Sequence, residues 1–283
     1  MDKIRKIARI LHGHQTSDGA GVRLTRIFGF GEESNLDPFL LLDYFGSDRA
    51  EDFIAGFPWH PHRGIETVTY LVAGKVEHMD SIGNKGFLGT GDIQWMTAGS
   101  GIIHQEMPKP DGSRMFGFQL WVNLPSTHKM MKPRYQDIPA AKVPLVVLPD
   151  GVKVKVLAGQ LDGTKGPVED IILSPSYFDV EMPPDTIFTT GTEPDHTAFA
   201  CIFEGEALFD ETRGDSLKPL SGVLYEPGSQ VRVRTGKNKA RFILISGKPI
   251  REPVAWGGPI VMNTREELET AFREYREGTF IRK

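Results

Sequence analysis

The chain has 283 residues, a formal net charge of −4 and a sequence pI near 6.1. With 39% hydrophobic and 25% charged residues, it has the composition of an ordinary globular protein. The acidic balance gives no basic surface for a phosphate backbone, which argues against direct nucleic-acid binding. The charged N-terminus lacks the apolar core of a signal peptide, and no apolar stretch approaches membrane-spanning length. We therefore expect a cytoplasmic protein with no membrane association.

The distribution of turn-forming residues favours an all-β protein. The chain contains 31 glycines and 20 prolines, a frequency that fits many short strands better than long helices. Residues 22–28 alternate apolar and polar side chains, which predicts an amphipathic strand. Residues 67–72 and 115–124 predict further strands. The single cysteine, Cys201, excludes a disulfide within the chain, and its apolar surroundings predict a buried thiol.

Two short histidine motifs predict a metal site. His60 and His62 are two residues apart, as are His104 and Glu106. Side chains two apart on an extended segment share a face, so two neighbouring strands can direct these four side chains to one point. Three imidazoles and a carboxylate suit iron, manganese, nickel or zinc better than calcium or a metal that prefers thiolates.

Several other residues leave more than one interpretation open. A single His-x-His pair also occurs by chance, and we interpret His12 and His14 as solvated or locally hydrogen-bonded. Glu66 lies at even spacing from His62 and is either a fifth ligand, an ordinary strand-end carboxylate or, as we favour, a residue that orients a histidine by a hydrogen bond. A further group either forms the wall of the pocket or belongs to the core: Trp59, Trp95 and Met96.

A weak internal repeat predicts two barrels. Residues 125–149 are rich in Pro, Lys and Met with little periodicity, which marks a boundary, and strand patterns then begin again. An ungapped count places Gly191, Glu193 and Thr235 where the first half has its histidines. We therefore predict a metal-binding barrel over residues 1–130 and a barrel without metal ligands over residues 131–283.

The C-terminal segment predicts one amphipathic helix. Thr264 and Glu267 have the spacing of a capping box, and Gly278 follows at the expected end. Apolar side chains recur between them at helical spacing: Leu268, Ala271, Phe272 and Tyr275. The apolar stripe should pack on the face of a barrel.

The motifs together resemble those of the pirin family of bicupins. The strings that carry the resemblance are DPFL at 37–40, FPWHPHRG at 57–64, QWMTAG at 94–99, GIIHQE at 101–106 and MNTREE at 262–267. The resemblance implies two tandem cupin, jelly-roll-type β-barrels with a short C-terminal helix. It also implies iron, most simply Fe²⁺, held by the residues matching His60, His62, His104 and Glu106.

The resemblance implies two candidate functions. The first is a quercetin 2,3-dioxygenase that opens a flavonol with O₂, with loss of carbon monoxide, in which Glu106 is both ligand and catalytic base. Four protein ligands leave up to two positions on a six-coordinate ion for substrate and oxygen. The alternative is a redox-sensitive iron-binding regulator that acts through a protein partner. A purely structural metal is a third reading, against which the open coordination positions weigh.

Overall fold

A computed structural model describes residues 3–109 and 114–282. These residues form 24 strands, two α-helices, α1 (Glu33–Leu36) and α2 (Arg265–Arg276), and short 3₁₀ turns at Ala50–Asp52 and Ala140–Lys142. The first twelve strands are β1 (Ile7–His12), β2 (His14–Asp18), β3 (Val22–Phe28), β4 (Phe39–Ser47), β5 (Phe57–His62), β6 (Ile65–Ala73), β7 (Val76–Asp80), β8 (Lys85–Leu88), β9 (Ile93–Thr97), β10 (Ile102–Pro108), β11 (Met115–Asn123) and β12 (Arg134–Ile138). The others are β13 (Leu145–Val147), β14 (Lys153–Ala158), β15 (Gln160–Leu161), β16 (Thr164–Lys165), β17 (Ser176–Met182), β18 (Ile187–Gly191), β19 (Thr197–Gly205), β20 (Ser221–Tyr225), β21 (Gln230–Arg234), β22 (Ala240–Gly247), β23 (Ala255–Gly257) and β24 (Ile260–Met262). The predicted all-β class is confirmed.

The chain divides into two compact units whose boundaries differ from the predicted ones. The first unit is Met1–His14 with Ala141–Pro249, and the second is Gln15–Ala140 with Ile250–Lys283. The N-terminal segment belongs to the first unit because β1 pairs with β20. The C-terminal segment belongs to the unit with the histidine motifs because, for example, Val261 N–H donates to the Arg63 carbonyl at 3.0 Å. Both pairings join residues distant in sequence, which local patterns do not reveal.

The second unit contains two large antiparallel sheets and the two-stranded sheet of β23 and β24. One has seven strands in the order β12-β9-β6-β11-β4-β3-β2, and the other has four in the order β5-β10-β7-β8. Part of the interior is apolar, because alternate residues of the strands point inwards. Buried members of this cluster are Val22, Leu24, Phe45, Phe53, Leu71, Val76, Leu88 and Met115.

The first unit has a sheet of the same size with a continuous apolar interior. Its seven strands lie in the order β1-β20-β19-β22-β17-β14-β13, and β18 pairs separately with β21. The core includes Val154, Val180, Ile202 and Phe242. Cys201 is fully buried, as the sequence predicted. The described part of this unit contains no set of histidine and acidic side chains close enough to share a metal ion.

The C-terminal helix α2 forms where the sequence predicts it. Thr264 Oγ1 accepts a hydrogen bond from Glu267 N–H at 3.2 Å, and the Glu267 carboxylate accepts one from Thr264 N–H at 3.0 Å, which completes the capping box. Ala271 is buried in a small core with Ile260, Met262 and Phe280. Neither helix of the described residues has the length and apolar character needed to cross a bilayer.

Gly64 follows β5 in a conformation that requires glycine. Its φ is +78°, and a Cβ built there would overlap the carbonyl oxygen of Val261. We expect Gly64→Ala to lower the free energy of unfolding of the second unit by at least about 2 kcal/mol, because strain and a backbone clash add. Urea unfolding followed by tryptophan fluorescence measures this unit, since all four tryptophans lie in it. The matched control is Gly278→Ala, with φ +72° and an open environment. Equal losses in the two variants would contradict the steric argument.

The thiol of Cys201 supplies a complementary probe of the first unit. Burial raises its pKa to about 12. The thiolate is the reactive form, so we expect labelling by a disulfide reagent at pH 8 to be at least about 100-fold slower in native buffer than in denaturant. The measurement is the absorbance of the released thiol. Rapid labelling in native buffer would instead show that β19 opens.

Candidate metal centre

Three histidines converge where β5 and β10 pair. His60 and His62 occupy alternate positions of β5, so both side chains leave the same face. β10 runs antiparallel to β5 and places His104 directly opposite His60. One nitrogen of each ring lies within 4.8 Å of those of the other two rings. The structure thus brings together the three histidines that the sequence analysis directed to one point.

The environment of these rings fits a divalent metal ion. His104 is 1% exposed, and neither of its ring nitrogens has a hydrogen-bond partner among the described residues. Burial holds the pKa of His62 and of His104 well below the usual value for histidine, and the neighbouring imidazoles act in the same direction. The neutral imidazole with an available lone pair is the form that binds a metal ion.

Backbone carbonyls orient two of the three rings. Nδ1 of His60 lies 2.8 Å from the carbonyl oxygen of Pro58, and Nδ1 of His62 lies 3.2 Å from that of Pro259. A carbonyl only accepts, so each Nδ1 carries a proton, and in the neutral ring each Nε2 keeps its lone pair.

The expectation that Glu66 orients a histidine was wrong. Glu66 accepts a hydrogen bond of 2.7 Å from Thr97 Oγ1, its direct neighbour on β9, and bonds to no histidine among the described residues. Thr69 of the same strand lines the cavity described below. Because Glu66 and Thr69 are three residues apart on a strand, their side chains leave opposite faces.

Glu106 lies close to the histidines but is displaced by an irregularity in the strand pairing. His104 pairs with His60, whereas Glu106 pairs with Phe57, so the register shifts between them. The buried carboxylate accepts a hydrogen bond of 3.0 Å from Thr69 Oγ1. Burial raises the pKa of Glu106, and the nearby His60 acts in the opposite direction. Among the described residues, the set within 4.8 Å contains the three histidines without Glu106.

A cavity of about 720 Å³ opens beside the histidines within the second unit. Its apolar walls include Phe45, Phe57, Trp59, Trp121 and Trp256. The ring of Trp121 lies 5.1 Å from that of His62 and 6.0 Å from that of Trp256, measured between centroids. A large aromatic cavity with a few polar groups is typical of a site for a flat small molecule.

The structure assigns the three apolar residues that could either form the wall of the pocket or belong to the core. Trp59 lines the cavity and is 48% exposed. Trp95 and Met96 are buried in β9 and do not line it, so they belong to the core.

Sequence reasoning missed most of the polar residues of the cavity. Arg26, Asp43, Thr69 and Gln119 line it from four different strands. The only local signal was a polar residue at an inward position of a strand that is otherwise apolar there. Trp256 and Pro259 were missed because they come from a segment assigned to the other half of the chain.

Comparisons with known proteins were made for the whole chain. A family model described as Pirin matches residues 21–122, and one described as Pirin C-terminal cupin domain matches residues 177–281. A pirin-like protein of Caulobacter vibrioides is 46% identical over 98% of this chain and 99% of its own length. A putative quercetin 2,3-dioxygenase of Pseudomonas aeruginosa is 41% identical over 98% and 99%. The crystal structure of quercetin 2,3-dioxygenase from Acinetobacter baumannii has a TM-score of 0.90 at 31% identity and covers 98% of this chain and 99% of that one.

We expect His104→Ala to abolish binding of a divalent metal ion, because it removes the buried imidazole that completes the triangle with His60 and His62. Metal content after loading with Fe²⁺ or Ni²⁺ is measured by mass spectrometry, and affinity by calorimetry. The control is His14→Ala, since His14 is exposed on β2. Full metal occupancy in His104→Ala would contradict the assignment.

Proposed function

Because the chain belongs to the pirin family of tandem cupin proteins, we propose that it is a metal-dependent dioxygenase that opens a flavonol such as quercetin with O₂. The observation that carries the proposal is the aromatic cavity, which has the clustered histidines and a buried carboxylate at one end. Relatives named as putative quercetin 2,3-dioxygenases cover nearly the whole chain, which supports the same activity.

The residues proposed to hold the metal are His60, His62, His104 and Glu106. Three nitrogen ligands and one oxygen ligand favour Fe²⁺, with manganese, nickel and zinc as alternatives. The chemistry that such an ion supplies when bound is Lewis acidity toward a substrate hydroxyl. Loading with each metal, followed by the same activity measurement, distinguishes between these ions.

Glu106 is proposed to accept the proton of the substrate hydroxyl. Thr69 Oγ1 bonds to one carboxylate oxygen, Oε1, at 3.0 Å. We assign the proton from the substrate hydroxyl to the second oxygen, Oε2. Burial raises the pKa of Glu106, so the carboxylate holds a transferred proton better than an exposed glutamate does.

The aromatic walls are proposed to bind the flat body of the substrate. Trp121 lines the cavity and stands at right angles to His62, with an interplanar angle of 85°, so a flat ring that packs on Trp121 lies close to His62. Phe30 is 77% exposed and lies 5.6 Å from Trp256, between ring centroids. Closing apolar side chains over the substrate excludes water from the histidine end.

We expect Glu106→Gln to lower turnover of quercetin at least about 100-fold, because the amide cannot accept the proton. Oxygen uptake is recorded with protein of measured iron content, so that loss of the base is separated from loss of the metal. The control is Glu51→Gln, which replaces an exposed carboxylate outside the cavity. No oxygen uptake by the wild-type protein at full iron content would reject the dioxygenase and favour the regulator that acts through a protein partner.

A further inference from the structure

Four cavity-lining residues form a row across four adjacent strands of the seven-stranded sheet of the second unit. Arg26 on β3 lies directly opposite Asp43 on β4, Asp43 opposite Gln119 on β11, and Gln119 opposite Thr69 on β6. All four line the cavity. We call Arg26, Asp43, Gln119 and Thr69 the polar row. Its last member, Thr69, is the residue that bonds to Glu106.

The fold does not require a polar row. The equivalent four adjacent strands of the first unit carry Val154, Val180, Phe242 and Ile202, each directly opposite the next. All four are buried in an apolar core. Burying an ion pair costs more free energy than burying apolar residues of similar volume, or at best the same. The first unit has a similar ion pair, Arg241 with Asp179, but it lies on the other face of these strands, beside Phe242 and Val180. An inward apolar row is therefore sufficient for a sheet of this size, and what distinguishes the polar row is that all of it lines a cavity.

The ion pair at the far end of the row fixes the guanidinium of Arg26. Arg26 Nε and Nη2 donate to the two carboxylate oxygens of Asp43 at 2.8 and 2.7 Å, and Nη2 also donates to Asp18 at 3.2 Å. These bonds leave the two N–H groups of Nη1, which have no hydrogen-bond partner among residues 3–109 and 114–282. The guanidinium is thus held in place by two carboxylates and keeps donors for an oxygen of a bound molecule.

The charges at the Arg26 end of the polar row limit the kind of group that can bind there. One guanidinium between Asp18 and Asp43 gives a net charge of −1, which disfavours a phosphate or a carboxylate. A neutral hydroxyl fits, since it accepts from Arg26 and donates to a carboxylate. Asp43 and Thr69 are two strands apart, which is about 10 Å at the usual strand spacing. A molecule bound at both ends must therefore span several linked rings.

We propose that Arg26 and Asp43 determine specificity by binding a phenolic hydroxyl remote from the group that faces the histidines. This inference rests on the proposed function, because it uses the same cavity and the same substrate class. The substrate is then a flat polyphenol with one polar group at the histidine end and a second hydroxyl at the Arg26 end.

Affinities of three flavonols test this inference without measuring turnover. Metal-loaded protein is titrated anaerobically with 3-hydroxyflavone, 3,7-dihydroxyflavone and 3,4′-dihydroxyflavone, and binding is followed by quenching of tryptophan fluorescence. We expect one of the dihydroxy compounds to bind about 10-fold or more tightly than 3-hydroxyflavone, as a hydrogen bond to a charged group predicts. Equal affinities for all three would overturn the inference and leave the dioxygenase intact. No binding of any of them would overturn both.

A double variant gives the second arm of the test. Arg26→Met/Asp43→Leu makes this end of the row apolar, as in the first unit. We expect it to lose the preference for the second hydroxyl, so that its affinities for the three flavonols agree within about 3-fold. The matched control is Arg23→Met/Asp52→Leu. Arg23 lies on β3, as Arg26 does, and its ion pair with Asp52 is outside the cavity. A preference that persists in the first variant would overturn the inference, and the wild-type titrations decide alone if that variant does not fold.

Discussion

The buried guanidinium of Arg63 links by hydrogen bonds the two strands that carry the histidines. Arg63 directly follows β5 and is 2% exposed. Its Nε donates to the carbonyl oxygen of Ser100, in the turn before β10, at 2.7 Å. Its other nitrogens donate to the Glu274 carboxylate at 2.7 Å and to the Phe280 carbonyl oxygen at 2.8 Å. The planar fork of arginine meets three acceptors from three separate segments, so it fixes the end of β5, the start of β10 and the C-terminal segment relative to one another.

A second buried cation strengthens the same junction. Lys129 Nζ donates to the carbonyl oxygens of Gly64 and Val261 and to Asn123 Oδ1, at distances of 2.6 to 3.0 Å. Burial lowers its pKa to about 7, whereas three acceptors match the three N–H groups of an ammonium and favour the charged form. Arg63, Gly64 and Lys129 therefore act on the same turn, and residues that do not line the cavity fix the end of β5, where His62 lies.

The sequence predicted those parts of the protein that depend on local periodicity. The strands, the capping box at Thr264 and the grouping of His60, His62 and His104 follow from spacing within short segments. The partners of Arg63 could not be predicted in this way, because Glu274 lies 211 positions further along the chain. The role of Glu66 was misjudged because counting alternate residues from His62 crosses the turn at Arg63 and Gly64, which changes the face that each later side chain occupies.

The two units have large sheets of the same size, but one has an apolar interior and the other has polar groups in its interior. The first fills its interior with apolar side chains, and Cys201 there is fully buried within β19. The second places imidazoles, carboxylates and the polar row in its interior, and such groups lower stability unless each is paired. The barrel strands supply part of the pairing, since Arg26 bonds to Asp43 and Thr69 bonds to Glu106. The C-terminal segment supplies another part, since the Pro259 carbonyl oxygen orients His62. The C-terminal segment of the second unit therefore contributes to the pairing that an interior with polar groups needs.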